Sequence, residues 1–213
     1  NVSWKENKVL WIKSSGTWLA DARESNIFIP VDLENLRTEI KNNNFSVKPK
    51  TLILTDQRPS IETLLHAVMP HKIVVHLHAI EALSYLVQKE YLARLRERVD
   101  KNLVWITIPY CKPGKELAKT IHKALESKKN VDVIFLQNHG IVIGADSIDK
   151  IEFILLSVRK SLSEKKRNLP LNTTHSVKIK NILNFSYFKK PEIQELVFNK
   201  YLFNGLKKYW NLY

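Results

Sequence analysis

The sequence predicts an α/β domain: a largely antiparallel sheet under helices, followed by a basic helical tail. Three observations predict it. Short β-branched runs such as 72–77 (KIVVHL) and 131–136 (VDVIFL) have the length and composition of buried strands. Between such runs lie segments with apolar residues at helical spacing, for example Ile61, Leu64, Leu65 and Val68. The formal net charge of +13 is uneven, because residues 159–213 hold 12 Lys or Arg against 3 Glu (+9) and leave +4 for residues 1–158.

Taken in order, 8–13 (KVLWIK) reads as a strand, with a turn at Ser14-Ser15-Gly16. Residues 26–31 (NIFIPV) read as a second strand, and 32–41 as a short helix with Asp32 near its cap. Residues 50–54 are apolar and strand-like. Pro59 opens a helix, since proline is tolerated in a first turn, and Ile61, Leu64, Leu65 and Val68 share its buried face. After the strand 72–77, residues 81–98 read as one long helix with alternating charges. Residues 103–108 form the next strand and 114–125 the next helix. The strand 131–136 ends at Gln137-Asn138-His139-Gly140, with 141–143 as its hairpin partner and 148–165 as a helix. The expected division is a domain over 1–158 and a basic helical C-terminal extension over 159–213.

Composition narrows the function classes. A hydrophobic fraction of 44% with 26% charged residues is that of a soluble globular chain rather than a disordered one. No apolar run approaches a membrane span, so no membrane partner is expected. The chain opens on Asn1 and not on methionine, which reads as a processed or trimmed start. Cys111 is the sole cysteine; no intramolecular disulfide can form, and any zinc site must rely on His and carboxylate. These features suit a cytoplasmic protein. A basic tail is compatible with nucleic acid, but its charge serves equally as a solvated face, and nucleic acid is not the expected partner.

The chemistry-bearing residues are histidines. His76 and His78 are two apart in a run whose valines favour a strand, so their side chains share one face about 7 Å apart. Such a pair offers two nitrogen ligands, and a catalytic zinc needs three protein ligands plus an open position. His139 follows an apolar strand in Asn138-His139-Gly140, where glycine allows a sharp turn, so it can complete a site or simply cap the turn. Glu62 sits in the first turns after Pro59, with His66 one turn later on the same side. A carboxylate near a helix N-terminus stays ionised easily. His66 and His71 read as packing or supporting groups, and His122 and His175 have no ligand spacing. Trp4, Trp11, Trp18 and Trp105 read as core or subunit contacts rather than a base-stacking platform.

The ordered set Ser15-Gly16-Thr17, Pro59-Ser60-Ile61-Glu62-Thr63, His76-x-His78 and Asn138-His139-Gly140 resembles the class II aldolase and adducin N-terminal family. Asn1-Val2-Ser3 looks like that family's Gly-Asn-x-Ser turn, and Ile108-Pro109-Tyr110 with Pro113-Gly114 and Glu116-Leu117-Ala118 resembles a further family segment. The run 59–67 (PSIETLLHA) is most similar to the aldolase half of bifunctional aldolase/short-chain dehydrogenase proteins, and the set is also similar to fuculose-phosphate aldolases. The resemblance covers about residues 1–160. It implies a three-layer fold with a central, mainly antiparallel sheet flanked by helices, and a homotetramer with active sites between subunits. It further implies that His76, His78 and His139 bind a divalent metal, zinc or another, and that Glu62 is the acid/base. Asn1, Ser15, Gly16, Thr17 and Ser60 match an anion pocket for a substrate phosphate, with hydroxyls and a helix N-terminus as its donors. Two departures stand out. Ile61 replaces a second serine of the sugar-phosphate members, and the family's catalytic tyrosine has no clear counterpart among Tyr85, Tyr91 and Tyr110.

The implied activity is metal-dependent cleavage or formation of a carbon–carbon bond in a small sugar or sugar phosphate. Three neutral imidazoles leave a metal's charge available to a hydroxy-carbonyl substrate, stabilising an enediolate, while Glu62 shuttles the proton. The same chemistry suits a metal-dependent sugar-phosphate epimerase or dehydratase. A non-catalytic adducin-like interaction module is the alternative of a different class, and such a scaffold has no physical need of three histidines beside a glutamate.

Overall fold

The structure is a computed structural model that describes residues 1–163; the expected basic helical extension beyond that point, and His175 within it, lie outside the described residues. Strands β1 (Val2–Glu6) and β2 (Val9–Lys13) form a hairpin turned at Asn7, which adopts φ 53°. Strand β3 (Phe28–Asp32) pairs with β2 and leads into helix α1 (Leu33–Lys41), whose first turn is capped by the Asp32 carboxylate accepting from the Asn35 N–H. Helix α2 (Thr63–Val68) precedes strand β4 (Ile73–Leu77). Then come α3 (Ile80–Leu86), α4 (Tyr91–Arg98), β5 (Trp105–Ile108), α5 (Lys115–Ser127), β6 (Val133–Leu136), β7 (Gly140–Ala145) and α6 (Ile148–Leu162).

The seven strands form one sheet in the order β3-β2-β1-β4-β7-β6-β5. Every neighbouring pair is antiparallel except β5 and β6, which run parallel. The mainly antiparallel sheet flanked by helices is therefore the observed architecture. Helices α1, α2 and α5 pack on one face over Leu10, Ile12, Ile29, Val74, Ile134 and Val142. On the other face α3, α4 and α6 cover Val133, Phe135, Ile141 and Ile143. Strands β6 and β7 are buried at every residue, which is why they read as unbroken apolar runs. At the far end of that second face Trp4 stacks on Trp11 (centroids 5.6 Å apart) and meets the edge of Phe28, so these tryptophans are half-buried packing groups.

Four expectations need correction. Residues 50–54 form no strand. Thr51 makes only an isolated bridge to Val31, while Leu54 is fully exposed. The helix expected from Pro59 starts later, at Thr63, so Ile61 lies outside it and is exposed rather than part of its buried face. The single helix expected over 81–98 is two, α3 and α4, broken around Gln88–Glu90, where Gln88 N–H closes a turn on Tyr85. Asn1-Val2-Ser3, read as a turn, begins strand β1.

Candidate metal centre and its surroundings

Strand β4 lies in the middle of the sheet, held by β1 on one side and β7 on the other. Its alternation sends Val74 and His76 to the α1/α2/α5 face and Val75 and Leu77 to the opposite core. His78 follows just past the strand end and is exposed. His139 arrives from the β6–β7 hairpin. That turn is tight because Asn138 adopts φ 54° and Gly140 φ 155°. A side chain at Gly140 would meet the Leu77 carbonyl oxygen at 2.4 Å, so only glycine lets β7 begin this close to β4. The result brings the three imidazoles together. Ring centroids are 5.0 Å apart for His76 and His78, 4.8 Å for His76 and His139, and 5.2 Å for His78 and His139. One nitrogen from each lies within 4.8 Å of the others, and they are the one such cluster among the described residues.

Glu62 caps the N-terminal end of α2 and is buried beside this cluster. Its Oε2 lies 2.7 Å from His76 Nδ1 and its Oε1 3.6 Å from His139 Nε2. Burial by itself would raise the Glu62 carboxyl. The His76 hydrogen bond and the potentials of His76, His66 and His139 outweigh it and hold the group down at about 2. An ionised carboxylate only accepts, so His76 donates its Nδ1 proton and keeps Nε2 free. Burial lowers His78 and His139 from their usual value, with His76 adding to the effect, which favours the neutral imidazole that ligates a cation.

These residues fit a divalent metal. His76 Nε2 and His139 Nδ1 are both buried with no hydrogen-bond partner on the protein, and stranded buried nitrogens are costly unless something binds them. An imidazole that gives its second N–H to a carboxylate, as His76 does, is the usual form of a metal-bound histidine.

The other expected residues flank the cluster. Asn1 pairs with His76 through both main-chain groups, and its amide donates to Ser60 Oγ. The Ser60 hydroxyl also accepts from the Glu62 N–H. The turn of Ser15, Gly16 (φ 77°) and Thr17 is tied to the same segment, since Ser15 N–H donates to the Arg58 carbonyl and Ser14 bridges to Pro59. Ser15 and Gly16 are exposed and Thr17 is half-buried. The Thr17 hydroxyl is engaged by Ser14. Of the tyrosines, Tyr85 is buried in the opposite core beneath Arg98, away from the His76 face. Tyr91 is half-buried on α4, and Tyr110 is exposed with its N–H on the Gln137 side chain.

Sequence reasoning missed Lys13. Its ammonium donates to the Ser14 and Thr17 carbonyls at 2.8 and 2.6 Å and so places a cation at the base of the turn. It stands at the end of an ordinary strand pattern, and nothing in its spacing marks it. Ser3 and Lys5 were missed too, because residues 1–3 read as a turn and no strand was expected before residue 8.

The family model described as "Class II Aldolase and Adducin N-terminal domain" matches residues 1–163. The chain belongs to this family. A curated relative from Bacillus subtilis (strain 168), the uncharacterized oxidoreductase YuxG, is 30% identical over 145 residues, covering 65% of this chain and 21% of that protein. The chain thus spans about a fifth of that relative's length. Among solved structures, the N-terminal class II aldolase domain of a conserved Thermoplasma acidophilum protein superposes with a TM-score of 0.61 at 22% identity, covering 75% of this chain and 80% of that one. The sugar-phosphate aldolase from Thermotoga maritima gives 0.55 at 14% identity, covering 75% and 72%. At these identities the structures share the fold of this class II aldolase domain. No helix among the described residues is long and apolar enough to cross a membrane.

Proposed function

We propose that this class II aldolase domain is a zinc-dependent lyase that cleaves or forms a carbon–carbon bond in a small sugar or sugar phosphate. The observation that carries the reading is the convergence of His76, His78 and His139 within 4.8 Å beside an ionised, buried Glu62. The three imidazoles would hold the cation. When bound, it supplies a Lewis acid for a hydroxyl and a carbonyl oxygen of the substrate. Glu62 accepts and returns the proton at its carboxylate, and its bond from His76 fixes the direction from which it does so. Burial of Glu62 keeps bulk water from competing for that proton.

The turn 15–17 and Ser60 form the site for the anionic end of the substrate, with Asn1 orienting Ser60 and the Lys13 cation behind the turn. Ile61 adds no hydroxyl, so the anion is bound through fewer donors than two serines would give. A homotetramer with sites near subunit boundaries suits the exposed Trp18 and Ile61, which adjoin the turn 15–17 and Glu62 in the chain.

The test is metal analysis of the reconstituted protein, then a screen for aldol cleavage of ketose phosphates, hydroxy acids and neutral ketoses. One zinc per chain with cleavage of one such class is the expected result. A metal-free protein after reconstitution overturns the proposal. Epimerisation or dehydration without cleavage would keep the metal and replace the reaction.

A further inference from the structure

Buried polar groups follow the line where α2 lies along β1. Ser60 meets Asn1, and Glu62 meets His76, the residue that Asn1 pairs with across the strands. His66 Nδ1 lies 2.7 Å from Ser3 Oγ. The Lys5 ammonium donates to the carbonyls of Met69 and His71, just past the end of α2. The contacts keep step because four helix residues advance about 6 Å and two strand residues about 6.8 Å. Helix positions four apart therefore meet strand positions two apart, in a polar seam from the candidate metal centre to the far end of α2.

Packing alone does not account for this seam. Ser3, Lys5 and His66 are all buried, on a face that elsewhere carries Leu10, Ile12 and Val74. His66 has no exposure at all, and its Nε2 has no partner on the protein. A phenyl ring would fill that space without stranding a nitrogen. The burial also keeps the His66 imidazole neutral. The seam does end on Glu62. Helix α2 is six residues long, too short to hold its own shape or place, and Glu62 is its N-cap with no side-chain capping bond. The carboxylate therefore goes where α2 is docked.

We propose that Ser3 and His66 are positioning residues for Glu62. Their bond sets the height of α2 against the sheet, and with it where the Glu62 carboxylate meets His76. The catalytic consequence rests on the lyase reading above; the structural claim does not.

The first readout, on the whole chain without metal, needs no substrate. The His76 Nδ1 proton donated to Glu62 gives a downfield, slowly exchanging imidazole resonance in proton NMR, and Glu62→Gln identifies it by moving it. Ser3→Ala and His66→Phe are each expected to shift or broaden that resonance, and Ser3→Thr, which keeps the hydroxyl, to restore it. Zinc affinity should fall by about tenfold rather than vanish, because the carboxylate that orients His76 is displaced while the three candidate ligands are untouched. In cleavage assays the same variants should lose about tenfold or more in kcat with KM little changed, as misplacement of a proton-transfer group requires. An unchanged resonance in folded Ser3→Ala and His66→Phe proteins overturns the proposal. Should His66→Phe fail to fold, Ser3→Ala, which removes one oxygen atom, decides it. A resonance that responds in a protein with no lyase activity sinks the lyase reading and keeps the positioning role, whereas activity with an unresponsive resonance does the reverse.

Discussion

The sheet separates two interiors of unlike chemistry. Among the described residues, all seven buried polar or charged side chains (Ser3, Lys5, Ser14, Glu62, Thr63, His66 and His76) belong to β1, α2, β4 and the end of β2, the α2 side of the molecule. The interior beneath α3, α4 and α6 is Leu, Ile, Val, Ala and Phe, apart from Tyr85. An apolar interior stabilises in proportion to the area it removes from water. A polar one returns little net stability, since each hydrogen bond replaces one to water and each unpaired nitrogen costs. The comparison teaches that both faces of the sheet carry an apolar core, and that the α2 face alone adds a row of buried polar groups to it.

Substitutions can break that contrast. The largest effect is expected at His139→Ala, which removes one of three candidate ligands from the polar side. Zinc content should fall from one to near none by elemental analysis and turnover by on the order of a thousandfold, with the thermal midpoint of the metal-free protein nearly unchanged. Retained zinc would show that the cluster is not the metal centre.

Glu62→Gln comes next. Zinc should still bind and the fold remain, but kcat should fall by roughly a hundredfold to ten-thousandfold, because the amide cannot take the proton. Activity within a few-fold of the parent would assign proton transfer elsewhere.

On the apolar side the expected pattern reverses. Phe135 is fully buried and meets Trp105 edge-on at 5.6 Å. Phe135→Ala should cost about 3–5 kcal/mol in denaturant unfolding while the surviving folded protein binds zinc normally. A loss of zinc affinity at unchanged stability would erase the distinction between the two interiors.

The smallest effect concerns Lys5, whose burial lowers its ammonium from 10.5 to about 7. An unfolded chain keeps that proton up to about 10.5, so between these values it binds more protons than the folded chain does. Stability should therefore rise as pH climbs from about 7 towards 10.5, and the contribution to the slope vanishes below 7. Lys5→Met should flatten the rise, seen as denaturation midpoints that differ less between neutral and alkaline pH. An unaltered slope would mean that the ammonium is not buried.

Much of the fold was legible in the chain. Strands β2, β3, β4, β6 and β7 lie where the apolar runs placed them, α1 is capped by Asp32 as expected, and α5 and α6 start within one residue of the expected positions 114 and 148. Residues 50–54 misled because an apolar composition says nothing about whether a partner strand is at hand. The break between α3 and α4 was hidden because Gln88, Lys89 and Glu90 are all acceptable within a helix. Strand β1 was not anticipated at all: Asn1-Val2-Ser3 reads as a turn, yet Val2–Glu6 is a strand with Ser3 and Lys5 buried and Trp4 half-buried.

By itself the sequence determined the three histidines, the glutamate and the glycine turn that carries His139, because residue type and spacing record which side chains can share a strand face or end a hairpin. Tertiary structure alone decided the rest. Whether Glu62 meets His76, whether Lys13 underlies the turn, and which side of β1 faces inward depend on a helix crossing a strand far from it in the chain. The physical reason is that a period of two fixes which residues share a face, but not which face is covered. That choice was made by α2, whose polar groups give the buried side of β1 something to bond to.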